Sequence, residues 1–269
     1  MGLFDALMKR KTEPSVAQRM AQAYDAADHG DYEKALSIWT PLAHAGVARA
    51  ANNIGACFSE GLGVPRDMKL AERWLTVAAE AGDPVGQRNL ASLYFKGEGE
   101  GEGVAQDNAR ALALYRAAAE QGDGPAQDML SWMLLESEDV TPDYLEARRF
   151  AEAAAAQGIA SSMTRLGMIH HNALGVERDA VEAAKWWRRA AALGDADAQA
   201  MLGAAYHLGM GVERDAMTAL VWLIRARDGG SALAPRFFDA ARATLSADDI
   251  AEAERRASLP PETAEGSGA

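Results

Sequence analysis

Cysteine is nearly absent: Cys57 is the only one in 269 residues, which excludes an internal disulfide framework and any all-cysteine metal site. β-Branched aliphatic residues are scarce, 17 valines and isoleucines against 59 alanines, a balance that disfavours sheet and favours helix. No apolar run approaches the roughly 18 residues needed to cross a bilayer. Positive charge is also short. Lysine and arginine total 27 against 39 aspartates and glutamates, a net charge of −12. The concentrated cationic surface that phosphate binding relies on is therefore missing, and no nucleic-acid partner is expected. Glycine, by contrast, is plentiful at 25 residues, too many for a helical chain unless they hold fixed positions.

They do hold fixed positions. Gly46, Gly82, Gly122, Gly158, Gly194 and Gly230 are spaced by 36, 40, 36, 36 and 36 residues. Val64, Val104, Val140, Val176 and Val212 repeat the spacing, and Asp67, Asp107, Asp143, Asp179 and Asp215 repeat it again three residues later. The single longer interval is accounted for by extra residues in GEGEGEG, residues 97–103. A fixed period of this length marks a repeat architecture.

Each period holds two helical patterns. In the second, Ala71, Trp74, Ala78, Ala79 and Gly82 recur as Ala183, Trp186, Ala190, Ala191 and Gly194, and with Phe150 or Leu114 at the aromatic position. Spacings of three and four put these residues on one helical face. The glycine then ends the helix in a left-handed conformation that costs little without a β-carbon. In the first, Ile54 and Phe58, Leu90 and Tyr94, Leu166 and His170, and Leu202 and Tyr206 are i, i+4 pairs. Gly55, Gly167 and Gly203 follow the first member and suit close helix contact. Gly61 and Gly63, or Gly209 and Gly211, turn the chain between the helices, and each following aspartate suits a helix N-cap or first turn. The third period carries Glu136-Ser137-Glu138-Asp139-Val140 where the others have the glycine turn.

The pattern L-G-x-x-Y-x-x-G-x-G-V-x-x-D followed by A-x-x-W-x-x-x-A-A-x-x-G resembles the Sel-one-like repeat (SLR) family, related to the tetratricopeptide repeat. The resemblance implies an all-α fold: an α-solenoid, a right-handed superhelix of tandem helix-turn-helix repeats with a C-terminal capping helix. It divides the chain into a tetratricopeptide-like starting unit at 14–46, five repeats over 47–230 and capping helices over 231–257, between an N-terminal amphipathic segment at 1–13 and a tail at 258–269 whose composition reads as disordered. It also implies an adaptor or assembly role without catalysis and without a cofactor.

The side chains that chemistry needs are thinly spread. His171 and His207 occupy equivalent positions of adjacent periods but bring no third or fourth ligand. Cys57 sits beside Ile54 and Phe58 without a base to activate it. A metal- or thiol-dependent enzyme is the remote alternative.

A solenoid offers one long face as a binding groove. Asn53, Asn89, Met129, Arg165 and Met201, seven residues after each repeat glycine, and Ala56, Ser92, Trp132, Met168 and Ala204, ten after, are the candidate groove positions. Asparagine both donates and accepts, which suits a peptide backbone. Trp132, whose equivalents are small or flexible, reads either as an anchor for a partner or as filler beside the altered third turn. The acidic balance points to a protein or peptide partner with basic residues.

Leu3, Phe4, Leu7 and Met8 followed by Lys9, Arg10 and Lys11 read either as a frayed start or as an amphipathic helix docking on a partner or an anionic membrane. The second reading makes the chain a peripheral membrane-surface adaptor with weak surface contact. Without an export signal the expected location is cytoplasmic, peripheral to the inner membrane if that helix docks. Nothing in the pattern indicates an oligomeric state.

Overall fold

The computed structural model describes residues 14–97 and 103–260, and their regular elements are all α-helices. The Leu3, Phe4, Leu7 and Met8 segment, most of the GEGEGEG stretch and residues 261–269 lie outside the described residues. The chain forms two units, Met1–Asp123 and Gly124–Ala269. The first holds α1 (Val16–Asp28), α2 (Tyr32–His44), α3 (Ala48–Glu60), α4 (Met68–Glu80), α5 (Pro84–Lys96) and α6 (Asn108–Glu120). The second holds α7 (Gly124–Glu136), α8 (Tyr144–Ala156), α9 (Ala160–Asn172), α10 (Ala180–Ala192), α11 (Ala196–Leu208) and α12 (Ala216–Asp228), then α13 (Pro235–Arg242) and α14 (Ala247–Ala257).

Helix boundaries follow local chemistry. Asp67, Asp107, Asp143, Asp179 and Asp215 are the N-caps of α4, α6, α8, α10 and α12, their carboxylates accepting backbone N–H groups of the first turn. Each such cap satisfies a donor the helix leaves unpaired, worth about 1 kcal/mol. Asp83 and Asp195 cap α5 and α11 in the same way. At the other ends the six register glycines have φ between 81° and 89°.

One backbone bond closes every repeat's turn: Asp67 N–H to Phe58 O, and likewise Asp107 to Tyr94, Asp143 to Leu134, Asp179 to His170 and Asp215 to Tyr206, at 2.8–3.1 Å. The third repeat keeps this closure without the glycine turn. Its altered loop therefore leaves the register intact. In the fourth repeat the C-cap position of α9 is Ala173, the one non-glycine residue with positive φ among the described residues, at 57°. A β-carbon there costs roughly 1–2 kcal/mol.

In three of the five repeats the two helices of the hairpin approach at a glycine. A β-carbon on Gly55 would come within 2.7 Å of the Leu75 side chain, one on Gly203 within 2.7 Å of Leu223, and one on Gly167 within 2.2 Å of Trp187 Nε1. Trp187 is 2 % exposed and donates its indole N–H to the Thr164 carbonyl at 3.3 Å. Trp186, the aromatic of the repeated A-x-x-W pattern, is only half-buried and lies under the Arg189 guanidinium, 4.3 Å from its ring centroid. The deepest large residue of the second helix thus sits one position later than the repeated aromatic, because that position faces the glycine.

The core of the second unit gathers around Trp187 from α8, α9, α10 and α11. That of the first runs from Met20 and Trp39 to Ile54 and Cys57. Burial pushes the Cys57 thiol up to about 11, so at neutral pH it packs as a small apolar group.

His171 also packs on Trp187, with ring centroids 5.4 Å apart. Burial, and secondarily the Arg178 charge, lowers its pKa from the ordinary 6.5. The unfolded chain therefore protonates first. His171's contribution is full above the ordinary value and is lost as pH falls through the lowered one.

Three outcomes follow for thermal or chemical unfolding. Gly167→Ala forces a β-carbon against the buried indole and destabilises by about 1–3 kcal/mol, whereas Ala173→Gly relieves the left-handed strain and stabilises by about 0.5–1 kcal/mol. Lowering the pH from about 7.5 to about 5.5 lowers the midpoint of the parent chain more than that of His171→Asn, which has no imidazole to charge.

Candidate interaction surface

The first helices of the repeats, α3, α5, α7, α9 and α11, carry the expected groove positions. In the first unit Asn89 donates to Asn52 Oδ1 at 2.8 Å, and Asn52 donates to Asn53 Oδ1 at 3.1 Å. The Asn53 amide nitrogen is buried without a hydrogen-bond partner. Asn53 and Asn89 are thus joined through Asn52, a residue 4 % exposed that the groove pattern passes over.

Asn52 belongs to a seam. Equivalent positions hold Asn52, Arg88, Asp128 and Thr164, and each reaches into the next repeat. Arg88 pairs with Asp123 at 3.0 Å, and Thr164 donates to the α11 cap Asp195 at 3.0 Å. Asp128 accepts from Ser162 Oγ at 2.5 Å, Ser161 Oγ at 2.9 Å and Arg165 Nη1 at 2.7 Å. Arg49 of α3 makes a two-nitrogen contact with the α5 cap Asp83, its shortest distance 2.7 Å. The available signal was a polar residue at the same position in four of five first helices.

Arg165 is 8 % exposed. Its guanidinium is held by Asp128, with Glu136 Oε1 3.9 Å from Nε. It therefore ties α9 to α7. Met129, Trp132, Met168 and Met201 are half-buried on α7, α9 and α11, giving the second unit's first helices a thioether and indole character that the first unit lacks.

In the first unit a cleft of about 420 Å³ opens between α3 and α5. Ala56, Asn89 and Ser92 line it, three of the expected groove positions. Leu75 and Leu93 give it an apolar wall, and Arg66, Lys96 and Glu60 bring charge. Arg66 Nε donates to the Ser59 carbonyl at 2.9 Å. Among the described residues no group of three or more His, Cys, Asp or Glu is placed to hold a metal ion, and no helix is long and apolar enough to cross a membrane.

Removing one member of a largely buried ion pair leaves the other without its counter-charge, here Asp128 with only the Ser161 and Ser162 hydroxyls. Arg165→Ala therefore lowers the unfolding free energy by about 3 kcal/mol, while Met168→Ala, half-buried on the same helix, costs less; chemical denaturation of the two variants beside the parent chain measures both.

Comparison with known proteins completes the picture. The Sel1 repeat model matches residues 48–83, 84–123, 124–159, 160–195 and 196–231. The fold is similar to the crystal structure of a protective antigen present in uropathogenic Escherichia coli strains displaying an SLR fold, with a TM-score of 0.80 and 30% identity over 90% of this chain and 52% of that one. This chain thus spans about half the length of that protein. It is also similar in fold to a Sel1 repeat protein from Oxalobacter formigenes, with a TM-score of 0.77 and 24% identity over 90% of this chain and 97% of that one. No curated protein matches. Five contiguous matches cover most of the chain, whose helical hairpins have the α-solenoid fold of those structures: it belongs to the Sel1 repeat family.

Proposed function

We propose that the chain is a non-catalytic interaction scaffold that holds an extended segment of a partner protein against the first-helix faces of its repeats. Membership of a family that generally mediates protein–protein interaction supports this reading. The observation that carries it is the cleft between α3 and α5, which combines an apolar wall with the Asn89 amide and Ser92 hydroxyl. An extended segment presents both backbone polar groups and side chains, and such a lining suits each of them.

Charge acts at two ranges. The net charge of −12 draws a partner with basic residues and raises the encounter rate, an effect screened by salt. Within the cleft, Arg66 and Lys96 against Glu60 favour carbonyl oxygens or an acidic side chain at that point of the segment. In the second unit Trp132, with Met129 and Met168, suits an apolar side chain of a partner.

The test is affinity capture with quantitative mass spectrometry, comparing the parent chain with Ala56→Arg/Lys96→Glu and with Trp132→Ala. The first variant fills the cleft and removes its net positive charge while leaving the asparagine chain in place. The expected result is a set of proteins retained by the parent and depleted about tenfold or more by the double variant, the loss of one or two good contacts, with unchanged helicity. Equal capture by all three chains rules the groove out.

A further inference from the structure

The C-terminal helices of the second unit enclose a recess that the groove reading does not use. It lies among α12, α13 and α14, has a volume of about 190 Å³, and has Ile224, Phe238 and Ile250 in its floor with Arg227, Arg242 and Glu254 around it. At about 30 Å³ per water molecule this is space for about six waters, enough for one leucine- or phenylalanine-sized side chain. Ile224 is 4 % exposed, and Phe238 and Ile250 are half-buried. The floor is therefore continuous with the cluster that fastens the capping helices to α12.

The charged residues are what set this hollow apart from an ordinary packing gap. Arg227 stacks on Phe238, with its guanidinium carbon 4.9 Å from the ring centroid, which holds its charge at the wall. Among the described residues its one ion pair, with the adjacent Asp228 at 2.8 Å, is exposed on both sides and so binds it weakly. Arg242 and Glu254 are exposed, and neither side chain makes a hydrogen bond or ion pair to another described residue. Two arginines beside an apolar hollow, in a chain of net charge −12, present a local demand for an anion that carries an apolar group.

We propose that this recess captures the free C-terminus of a partner protein. The last side chain, leucine, isoleucine, valine or phenylalanine, enters the hollow, and its α-carboxylate accepts hydrogen bonds from Arg242 and Arg227. The terminal residue of a chain joins a carboxylate and an apolar side chain through a single α-carbon, and guanidinium groups match carboxylate geometry. Glu254, also in the lining, favours a basic residue shortly upstream. The site is independent of the first-helix cleft and stands or falls without it.

The probe is a fluorescein-labelled peptide, Gly-Ser-Lys-Gly-Leu, titrated with the full chain by fluorescence anisotropy as the free acid and as the C-terminal amide. The acid is expected to bind saturably and the amide about tenfold or more weakly, the loss expected for a charge-assisted contact. Arg242→Gln weakens the acid by a similar factor and narrows the difference between acid and amide. Arg236→Gln, an exposed arginine outside the recess, leaves both unchanged. Absence of saturable binding, equal affinity for acid and amide, or indifference to Arg242→Gln overturns the proposal. Displacement of the acid peptide by sodium octanoate as effectively as by unlabelled peptide also overturns it, in favour of a small amphiphile site.

Discussion

The contact between a glycine on the first helix of a hairpin and a large side chain on the second governs much of this structure. At Gly55, Gly167 and Gly203 the space that a β-carbon would occupy is already filled by Leu75, Trp187 and Leu223. Because the backbone of one helix lies against the side chain of the other, the pair has little freedom to slide. The alanines above and below, such as Ala183 and Ala190 beside Trp187, are fully buried for the same reason. Close approach brings dispersion and apolar burial without long side chains. An alanine-rich chain can therefore build a core with few large residues.

With hairpins rigid, the polar chemistry concentrates where one repeat meets the next. The seam of Asn52, Arg88, Asp128 and Thr164 is not decorative, since buried polar groups stay inside only when they are paired. Its members change chemistry from amide to ion pair to hydroxyl while holding position. Each junction is thereby matched to its own neighbour. This gives the units different first-helix faces, one rich in amide and hydroxyl, the other in methionine, tryptophan and a buried guanidinium.

Much of the fold was legible in the sequence because it is written in local chemistry. The aspartate caps and the left-handed glycines depend on residues within one turn, and their recurrence carries the hairpin register. What escaped depends on a partner elsewhere in the chain. Trp186 and Trp187 are adjacent and alike, and only the position of Gly167 across the hairpin selects Trp187 for the core. Arg165 looks like a groove residue until Asp128, thirty-seven positions away, is seen to hold it. Asn89, Ala56 and Ser92 were readable as surface because their periodicity alone sets them off the core pairs. The recess at the capping helices had no periodic signal, lying where the repeat stops.

The glycine-to-side-chain contact also bears on how such a chain can diversify. Where the first helix carries Ser131 in place of the glycine, the equivalent of Trp187 on the second is Ala151, and both are fully buried. Small and large thus trade places between the third and fourth hairpins, each fitted to its own mate. Recombination that moved a single helix from one repeat to another would join Ser131 to a tryptophan or Gly167 to an alanine, giving a clash or a void. Recombination at the register glycines carries both halves together and keeps the fit. The hairpin is the unit of inheritance here, and the glycines mark where it can be cut.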